Sequence, residues 1–192
     1  METKNILLVG VGGQGTITAA KLLTCGLMAS GYDVKMSEIH GMSQRGGSVS
    51  SQVRYGSNVQ SPVIEAGTAD IIVAFEKMEA MRYINYLKQD GKVIVNDKEI
   101  WPMPVIIGKA QYHPDIIGEL KKLADVTVMD ASKLAVDLGN EKVTNVILLG
   151  AIIKAMGLDH IDWDKIIQDN VKEKFVKLNQ IAIRKGMDLI QP

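Results

Sequence analysis

Two glycine-rich stretches contain the residue types in this sequence that could bind an anionic ligand. The first joins an apolar run at residues 5–10 to an apolar, helix-length segment at residues 17–29. This part of the chain therefore has the order strand, glycine turn and helix. Glycines in such a turn bring backbone N–H groups close to a phosphate, which the N-terminus of the helix also favours. The stretch fits the pattern Gly-x-Gly-x-x-Gly, and its candidate residues are Gly10, Gly12, Gly13, Gln14 and Gly15. We therefore predict a Rossmann-like turn, whose glycines either bind a nucleotide or serve only the turn and its packing.

The second stretch, residues 38–47, contains three glycines and almost no residues that build a core, so we predict a loop with special backbone angles. The loop follows a predicted strand and would lie at the carboxyl edge of the sheet, where open α/β folds bind ligands. Its side chains offer several hydrogen-bond donors, and its glycines could expose further N–H groups to an anion or a protein partner. The candidate ligand-binding or partner-facing residues are Glu38, His40, Gly41, Met42, Ser43, Gln44, Arg45, Gly46 and Gly47.

Glu38 is close to the place where a dinucleotide-binding fold has an acidic residue, about 20 residues after the glycine turn, that binds the ribose 2′-OH. However, Glu38 begins the glycine-rich loop and does not end a plain strand. A solvated loop carboxylate or a partner of Arg45 is therefore the alternative for this side chain.

The sequence contains no recognisable catalytic or metal-binding motif. Its three histidines are far apart, and neither a Gly-x-Ser-x-Gly elbow nor a phosphate-binding loop ending in Gly-Lys-Ser/Thr is present. Cys25 lies within the first predicted helix, where a buried and unreactive thiol is expected. Three acidic residues near strand ends are expected to cap helices, namely Glu76, Asp97 and Asp130. We therefore predict no catalytic residue and no metal site in this chain.

Composition places the chain among soluble globular proteins and excludes several classes of function. Its 192 residues are 46% hydrophobic, and 22 basic residues balance 22 acidic ones, so the basic excess that nucleic-acid binding needs is missing. A single cysteine excludes an internal disulfide, a cysteine-rich zinc site and an iron–sulfur cluster held by this chain alone. No signal peptide is evident, and the longest apolar run, residues 146–153, is too short to cross a bilayer. We therefore expect a cytoplasmic protein with no nucleic-acid or membrane partner.

The order of strand and helix patterns predicts the architecture that must position these stretches. Strands are predicted at residues 5–10, 32–37, 48–55, 70–75, 92–96 and 126–129, and helices at residues 17–29, 76–89, 115–123 and 131–138. Residues 101–114 are predicted as a loop with at most a short strand at 105–107, and three further helices follow at 144–156, 163–170 and 171–185. The alternation indicates an α/β fold: a Rossmann-like, doubly wound, mostly parallel sheet with helices on both faces and a helical C-terminal segment. Residues 1–192 form one domain, with the sheet core in residues 1–140 and the C-terminal helices in 141–192.

The two glycine-rich stretches together resemble the gamma domain of the 2-oxoacid:ferredoxin oxidoreductases. The similarity depends on the sequence of residues 10–16, on Ala-Lys-Leu-Leu at 20–23 and on residues 37–49. The stretch Glu-Ile-His-Gly-Met-Ser-Gln-Arg-Gly-Gly is most like the small beta subunit of indolepyruvate:ferredoxin oxidoreductases. Pyruvate-using relatives generally have a Gly-Pro-Glu type sequence where this chain has Gly41, Met42 and Ser43.

This resemblance implies a reaction in which an arylpyruvate, coenzyme A and oxidised ferredoxin give an aryl-acetyl-CoA, carbon dioxide and reduced ferredoxin. In the family, thiamine diphosphate, magnesium and iron–sulfur clusters belong to the large subunit. The single cysteine agrees with this division, and the sequence has no Gly-Asp-Gly stretch followed by Asn-Asn, the motif that binds magnesium and thiamine diphosphate. The resemblance therefore implies the small subunit of a heteromeric enzyme, inactive alone. Its glycine turn and residues 38–47 would face the large subunit near the active site or the coenzyme A path.

Two other functions share the glycine turn. A free-standing Rossmann-like oxidoreductase or nucleotide sensor would use the turn and Glu38 to bind NAD(P). An adenylating enzyme of the ubiquitin-activating type also has a Gly-x-Gly-Gly-x-Gly turn. That type usually carries paired Cys-x-x-Cys zinc ligands, which a chain with one cysteine cannot supply.

Overall fold

The computed structural model describes residues 2–40 and 46–190, which form a sheet covered by helices on both faces. The strands are β1 (Lys4–Val11), β2 (Asp33–His40), β3 (Ser48–Gly56), β4 (Ala69–Ala74), β5 (Leu87–Asn96) and β6 (Asp125–Met129). The helices are α1 (Thr16–Ala29), α2 (Lys77–Tyr83), α3 (Met103–Ile106), α4 (Ile116–Leu123), α5 (Ala131–Asp137), α6 (Thr144–Ala155), α7 (Trp163–Asn170) and α8 (Glu173–Asp188). Short 3-10 turns precede β5 (Ile84–Tyr86) and α6 (Glu141–Val143).

The six strands have the order β2-β3-β1-β4-β5-β6 in the sheet. The strand pairs β1–β4, β4–β5 and β5–β6 are parallel, whereas β3 pairs antiparallel with both β1 and β2. Five strands therefore share one direction and β3 alone opposes them, which confirms the mostly parallel α/β sheet. The carboxyl ends of those five strands lie at one edge, called the carboxyl edge below.

The two faces of the sheet bury separate hydrophobic clusters. Successive side chains of a strand point to opposite faces, so Ile6 and Leu8 of β1 enter one cluster while Leu7 and Val9 enter the other. The first cluster also contains α1 and the C-terminal helices, and the second contains residues of α2 and α4. Residues 146–153 of α6 are all buried, as the apolar character of this helix predicts.

Helices α6 and α8 are in backbone contact through two glycines. A Cβ atom on Gly150 would lie 2.0 Å from the carbonyl oxygen of Ile183, and one on Gly186 would overlap the carbonyl oxygen of Ile147. This contact holds the C-terminal helix against the buried helix that begins at the carboxyl edge. No helix within the described ranges is long and apolar enough to cross a membrane.

The helix predicted at residues 76–89 is too long. In the structure α2 ends at Tyr83, and β5 begins at Leu87, which pairs with Ala69 of β4. Pairing with β4 overrides the helical spacing of the apolar residues, because it provides the backbone of Leu87 with a partner across the sheet. Asp90, with a φ of 61°, marks the irregular part of β5.

The short strand predicted at residues 105–107 is also wrong, because residues 103–106 form α3. Pro102 lies at the N-cap and Pro104 in the first turn, where the fixed φ of proline suits the start of a helix. The apolar run that suggested a strand is instead exposed, as shown by Ile106 and Ile107.

Candidate functional site

The glycine turn between β1 and α1 brings three elements into close contact. Gly13 and Gly15 have φ angles of 104° and 83°, which residues with a side chain rarely adopt. A Cβ atom on Gly15 would lie 2.6 Å from Nδ2 of Asn145 in α6. One on Gly10 would lie 3.0 Å from the Cβ of Phe75, which follows β4. Glycine at these positions therefore allows α6 and the end of β4 to approach the turn.

The side chain of Gln14 ties the turn to the neighbouring strand. Its Oε1 accepts the N–H of Val11 at 2.7 Å, and its Nε2 donates to the carbonyl oxygen of Phe75 at 2.9 Å. The same carbonyl accepts a bond of 3.1 Å from Nδ2 of Asn96, which also donates to the hydroxyl of Ser132 at 2.9 Å. One hydrogen-bonded chain thus connects the carboxyl ends of β1, β4 and β5 with the start of α5.

An open cleft of about 450 Å³ lies at this carboxyl edge. The residues that line it are Gly13, Gln14, Gly15, Phe75, Lys98, Ser132, Val136, Glu141, Lys142, Thr144 and Asn145. Both α1 and α6 begin at the cleft, and neither helix has a side-chain cap or an acidic residue in its first turn. Lys98 and Lys142 form no ion pair with another described residue. The lining of the cleft therefore has two ammonium groups and one carboxylate, that of Glu141. These charges and the two helix N-termini make the cleft suitable for an anionic group.

The second glycine-rich stretch connects the two strands of a β-hairpin. The prediction of a loop over residues 38–47 was wrong for Glu38, Ile39 and His40, because β2 pairs with β3 as far as His40, opposite Val49. Regular pairing with β3 holds these three residues in strand conformation. Five residues of the predicted site lie outside the described residues, namely Gly41, Met42, Ser43, Gln44 and Arg45. Residues 41–47, which join β2 to β3, are called the hairpin connection below.

Backbone hydrogen bonds bring the two glycine-rich stretches together. The N–H of Gly12 donates to the carbonyl oxygen of Gly47 at 2.9 Å, and the N–H of Gly46 donates to the carbonyl oxygen of Gly12 at 3.4 Å. Gly46 has a φ of 77°, which favours glycine. The glycine turn and the carboxyl end of the hairpin connection therefore form one continuous part of the carboxyl edge.

The position of β3 does not fit a dinucleotide site of the Rossmann type. In such a site the acidic residue follows the strand next to β1. Here β3 separates β1 from β2, and Glu38 of β2 pairs with Ser51 of β3. Oε1 of Glu38 is buried and has no hydrogen-bond partner among the described residues. The N–H of Gly12 is also already bonded to Gly47.

A family comparison identifies the group of proteins to which this architecture belongs. The family model described as pyruvate ferredoxin/flavodoxin oxidoreductase matches residues 5–189. The chain belongs to this oxidoreductase family.

Relatives within the pyruvate ferredoxin/flavodoxin oxidoreductase family cover nearly the whole chain. Indolepyruvate oxidoreductase subunit IorB of Thermococcus kodakarensis is 40% identical over 195 residues, which covers 97% of this chain and 96% of that relative. The pyruvate/ketoisovalerate oxidoreductases common subunit gamma of Pyrococcus furiosus is 29% identical over 182 residues, with coverage of 93% and 92%. These matches confirm the resemblance to the gamma domain. The chain is a small subunit of the 2-oxoacid:ferredoxin oxidoreductase type.

A solved structure shows the same fold inside a longer polypeptide. The 2-oxoglutarate:ferredoxin oxidoreductase from Magnetococcus marinus matches with a TM-score of 0.75 and 19% sequence identity. The match covers 98% of this chain and 31% of that chain. The fold described above is therefore found there as one part of a larger protein.

The donor groups of this oxidoreductase-family chain do not fit a resident iron–sulfur cluster. Its one cysteine, Cys25, lies in α1, and its Sγ is 3.5 Å from Oδ1 of Asn170. Within residues 2–40 and 46–190, no group of three or more His, Cys, Asp or Glu side chains could hold a metal ion. A cluster would need several thiolates from one site.

Two of the three predicted helix caps are confirmed. The carboxylate of Glu76 accepts the N–H of Glu79 at 2.5 Å at the start of α2, and that of Asp130 accepts the N–H of Lys133 at 2.8 Å at the start of α5. Asp97 caps no helix, because none of the described helices begins directly after β5. It forms an ion pair of 2.6 Å with Lys77 instead.

Glu76 is also one of two buried carboxylates in this part of the chain. Burial raises its pKa, although bonds from the N–H groups of Glu79 and Met78 and from the hydroxyl of Tyr112 at 3.2 Å oppose the shift. The same burial raises the pKa of Tyr112 above its ordinary value, and the nearby carboxylate adds to the effect.

Several residues in or beside the cleft were not predicted from the sequence. Lys98, Ser132 and Asn145 line the cleft, and Asn96 bonds to Ser132 beside it. The four residues come from three segments, and the signal for each was weak: Asn96 ends an apolar strand and Lys98 follows it, Ser132 lies in the first turn of a helix, and Asn145 is a buried polar residue in an apolar helix. A search for polar residues at strand ends would have found Asn96. Nothing in the sequence indicates that α6 begins beside the glycine turn.

Proposed function

We propose that this chain is the small subunit of an enzyme complex that oxidatively decarboxylates arylpyruvates. The supporting observation is the 40% identity to an indolepyruvate oxidoreductase subunit across 97% of the chain, compared with 29% to a pyruvate/ketoisovalerate gamma subunit. In the proposed reaction the bond between the carboxylate and the keto carbon breaks, and a thioester bond to coenzyme A forms. One arylpyruvate, one coenzyme A and two oxidised ferredoxins give aryl-acetyl-CoA, carbon dioxide, one proton and two reduced ferredoxins.

The proposal assigns catalysis to a large partner subunit. That subunit would hold thiamine diphosphate and magnesium for the carbanion chemistry and iron–sulfur clusters for the two electrons. A chain with one cysteine and no metal-binding cluster among its described residues fits the role of a partner that completes the complex. The isolated chain is then inactive, and the complex functions in the cytoplasm with ferredoxin as its electron acceptor.

The carboxyl edge is the surface proposed to face the partner's active site or the path of coenzyme A. Its cleft lies where open α/β sheets bind ligands, and the ammonium groups of Lys98 and Lys142 suit the phosphates of coenzyme A. The hairpin connection carries half of the predicted site residues, and its Gly46 and Gly47 are bonded to the glycine turn beside this cleft. Both motifs would therefore meet the partner together.

Affinity purification from the native host tests the proposal. Recovery of the chain with a large, brown, cysteine-rich polypeptide that contains thiamine diphosphate is the expected result. Recovery of the chain alone would contradict it. Calorimetry of the isolated chain provides an independent check, because micromolar binding of NAD(H) would favour a free-standing oxidoreductase instead.

A further inference from the structure

An apolar segment at residues 100–107 lies outside both hydrophobic clusters of the sheet. It contains α3, which makes no extensive contact with any other described helix or strand. Four of its large apolar side chains are between 54% and 64% exposed, namely Trp101, Met103, Ile106 and Ile107. The other exposed large apolar side chains of the described ranges are well separated along the chain. The apolar segment is therefore a concentration of apolar surface that the fold leaves uncovered.

The start of the apolar segment is fixed to the carboxyl edge. The backbone N–H of Lys77 donates to the carbonyl oxygen of Lys98 at 3.0 Å. The Nζ of Lys77 forms ion pairs with Asp97 at 2.6 Å and with Glu99 at 3.2 Å. These contacts tie the residues after β5 to the first residue of α2. The chain therefore enters the apolar segment beside the cleft, which Lys98 helps to line.

The end of the apolar segment returns to the same edge. The hydroxyl of Tyr112 donates to Oε2 of Glu76 at 3.2 Å, and Glu76 directly precedes α2. Within the segment, the N–H groups of Val105 and Ile106 donate to the carbonyl oxygen of Pro102 at 2.9 and 3.1 Å. The backbone is thus ordered before any partner binds, which lowers the entropic cost of docking.

The exposed apolar area distinguishes between two kinds of occupant. At these exposed fractions the four side chains present about 500 Å² to solvent, whereas a stable interface takes about 800 Å² from each partner. Contact between two identical segments can bury only part of this area, which is too little to hold two copies of the chain together. A larger protein can cover the apolar segment and other parts of the carboxyl edge at once. In the Magnetococcus marinus relative the matching part is 31% of one polypeptide, so the same fold there belongs to a much larger protein.

The charges beside the apolar segment indicate what the covering surface must offer. Both nearby carboxylates, those of Asp97 and Glu99, are paired with Lys77. Lys98 and Lys109, one on each side of the segment, form no ion pair with another described residue. Protein interfaces combine an apolar core with a polar rim of complementary charge. The complementary surface is therefore an apolar groove with acidic residues at its rim.

We propose that residues 100–107 dock into an apolar groove with an acidic rim on the large subunit. This inference rests on the proposed function for the existence of that subunit, and it does not depend on which 2-oxoacid the complex uses. The apolar segment contributes affinity and takes no part in the chemistry. The buried carboxylate of Glu76 has a role in this account, because it anchors Tyr112 at the end of the segment.

Competition for the large subunit tests the proposal. The large subunit is co-expressed with equal amounts of a tagged wild-type chain and an untagged variant, and mass spectrometry gives the ratio of the two chains in the purified complex. We expect Trp101→Ala and Ile106→Ser each to lower the share of the variant about tenfold, because each removes an apolar anchor. Lys109→Glu should lower it about threefold, since a charge at the rim contributes less than a buried anchor.

The matched control is Leu123→Ser, which removes an apolar side chain of α4 that is 64% exposed and lies outside the apolar segment. This variant should enter the complex as often as the wild type. Urea unfolding should give Trp101→Ala the same free energy of unfolding as the wild type, because Trp101 belongs to neither hydrophobic cluster. Ile106→Ser changes a separate side chain, so it decides the question even where Trp101→Ala lowers stability.

Incorporation of Trp101→Ala and Ile106→Ser at the wild-type level would overturn the inference. It would also be overturned if these substitutions changed only the association of the chain with a second copy of itself, measured by sedimentation. Failure of the wild-type chain to form a complex with the large subunit would instead overturn the proposed function.

Discussion

Gly12 donates its backbone N–H to the carbonyl oxygen of Gly47 over 2.9 Å, and this bond joins the glycine turn to the hairpin connection. Because this N–H is used within the chain, it is not free to bind a ligand. It instead joins two segments of the surface at the carboxyl edge. The same surface includes the cleft with Lys98 and Lys142. A subunit whose function depends on contact with a partner requires such a surface.

Arg45→Ala should lower arylpyruvate-dependent ferredoxin reduction about tenfold in the assembled complex, because the variant loses a planar cation from the segment proposed to face the partner. The measurement is the steady-state rate per assembled complex. Arg184→Ala on α8, which removes an exposed arginine paired with Asp164, is the control and should have no effect. Undiminished turnover and assembly of the Arg45 variant would contradict the placement of the hairpin connection.

Reversing the charge of the cleft should weaken binding of coenzyme A. For Lys98→Glu and Lys142→Glu we expect KM for coenzyme A to rise about tenfold, while KM for the arylpyruvate stays near its wild-type value. The effect should shrink as ionic strength rises. Lys177→Glu, an exposed change on α8, serves as the control. Equal KM values for coenzyme A in all three variants would place its phosphates elsewhere.

Gly150→Ala should destabilise the chain by about 3 kcal/mol, because the added methyl group would lie 2.0 Å from the carbonyl oxygen of Ile183 and must separate α6 from α8. Urea unfolding measures this change in the free energy of unfolding. Gly31→Ala is the matched control: Gly31 has a φ of 83° but no atom within 4 Å of an added Cβ, so only about 1 kcal/mol of backbone strain is expected. Equal losses in the two variants would show that the helix contact is not tight.

Glu76 should make the chain less stable as pH rises. Burial raises its folded pKa above the ordinary value of 4.5, so the folded state binds the proton more tightly than the unfolded state. The stabilisation is complete below pH 4.5 and is lost as pH rises through the folded pKa. In the Glu76→Gln variant the amide oxygen can still accept the capping bond but does not titrate. As pH rises above 4.5, the free energy of unfolding of this variant should therefore fall less than that of the wild type. Parallel pH profiles for the two proteins would contradict the raised pKa.

Local patterns in the sequence were sufficient to predict the turn after β1 and most strands. The apolar run ending in Gly10 and the periodicity of residues 17–29 depend on neighbours close in the chain, so strand, turn and helix were predictable. The loop prediction was wrong for residues 38–40, because their strand conformation depends on pairing with β3, as between Ile39 and Ser50, and not on their own composition. The same reason explains why β5 was taken for helix as far as residue 89.

The cleft could not be predicted because it is assembled by tertiary contacts. Asn145 reaches the turn only because α6 packs against α1, and its Nδ2 donates to the carbonyl oxygen of Gly15 at 3.3 Å. Lys98 and Ser132 come together through the order of β5 and β6 in the sheet. The separation of β2 from β1 by β3, which counts against a dinucleotide site, likewise has no signature in local periodicity.

The central claim is most directly tested by ferredoxin reduction in a complex reconstituted from this chain and the large subunit. We predict that the complex reduces ferredoxin when an arylpyruvate and coenzyme A are both present, with kcat/KM for indolepyruvate well above that for pyruvate. Each polypeptide alone should give no turnover. Full activity of the large subunit without this chain, or a preference for pyruvate, would contradict the account.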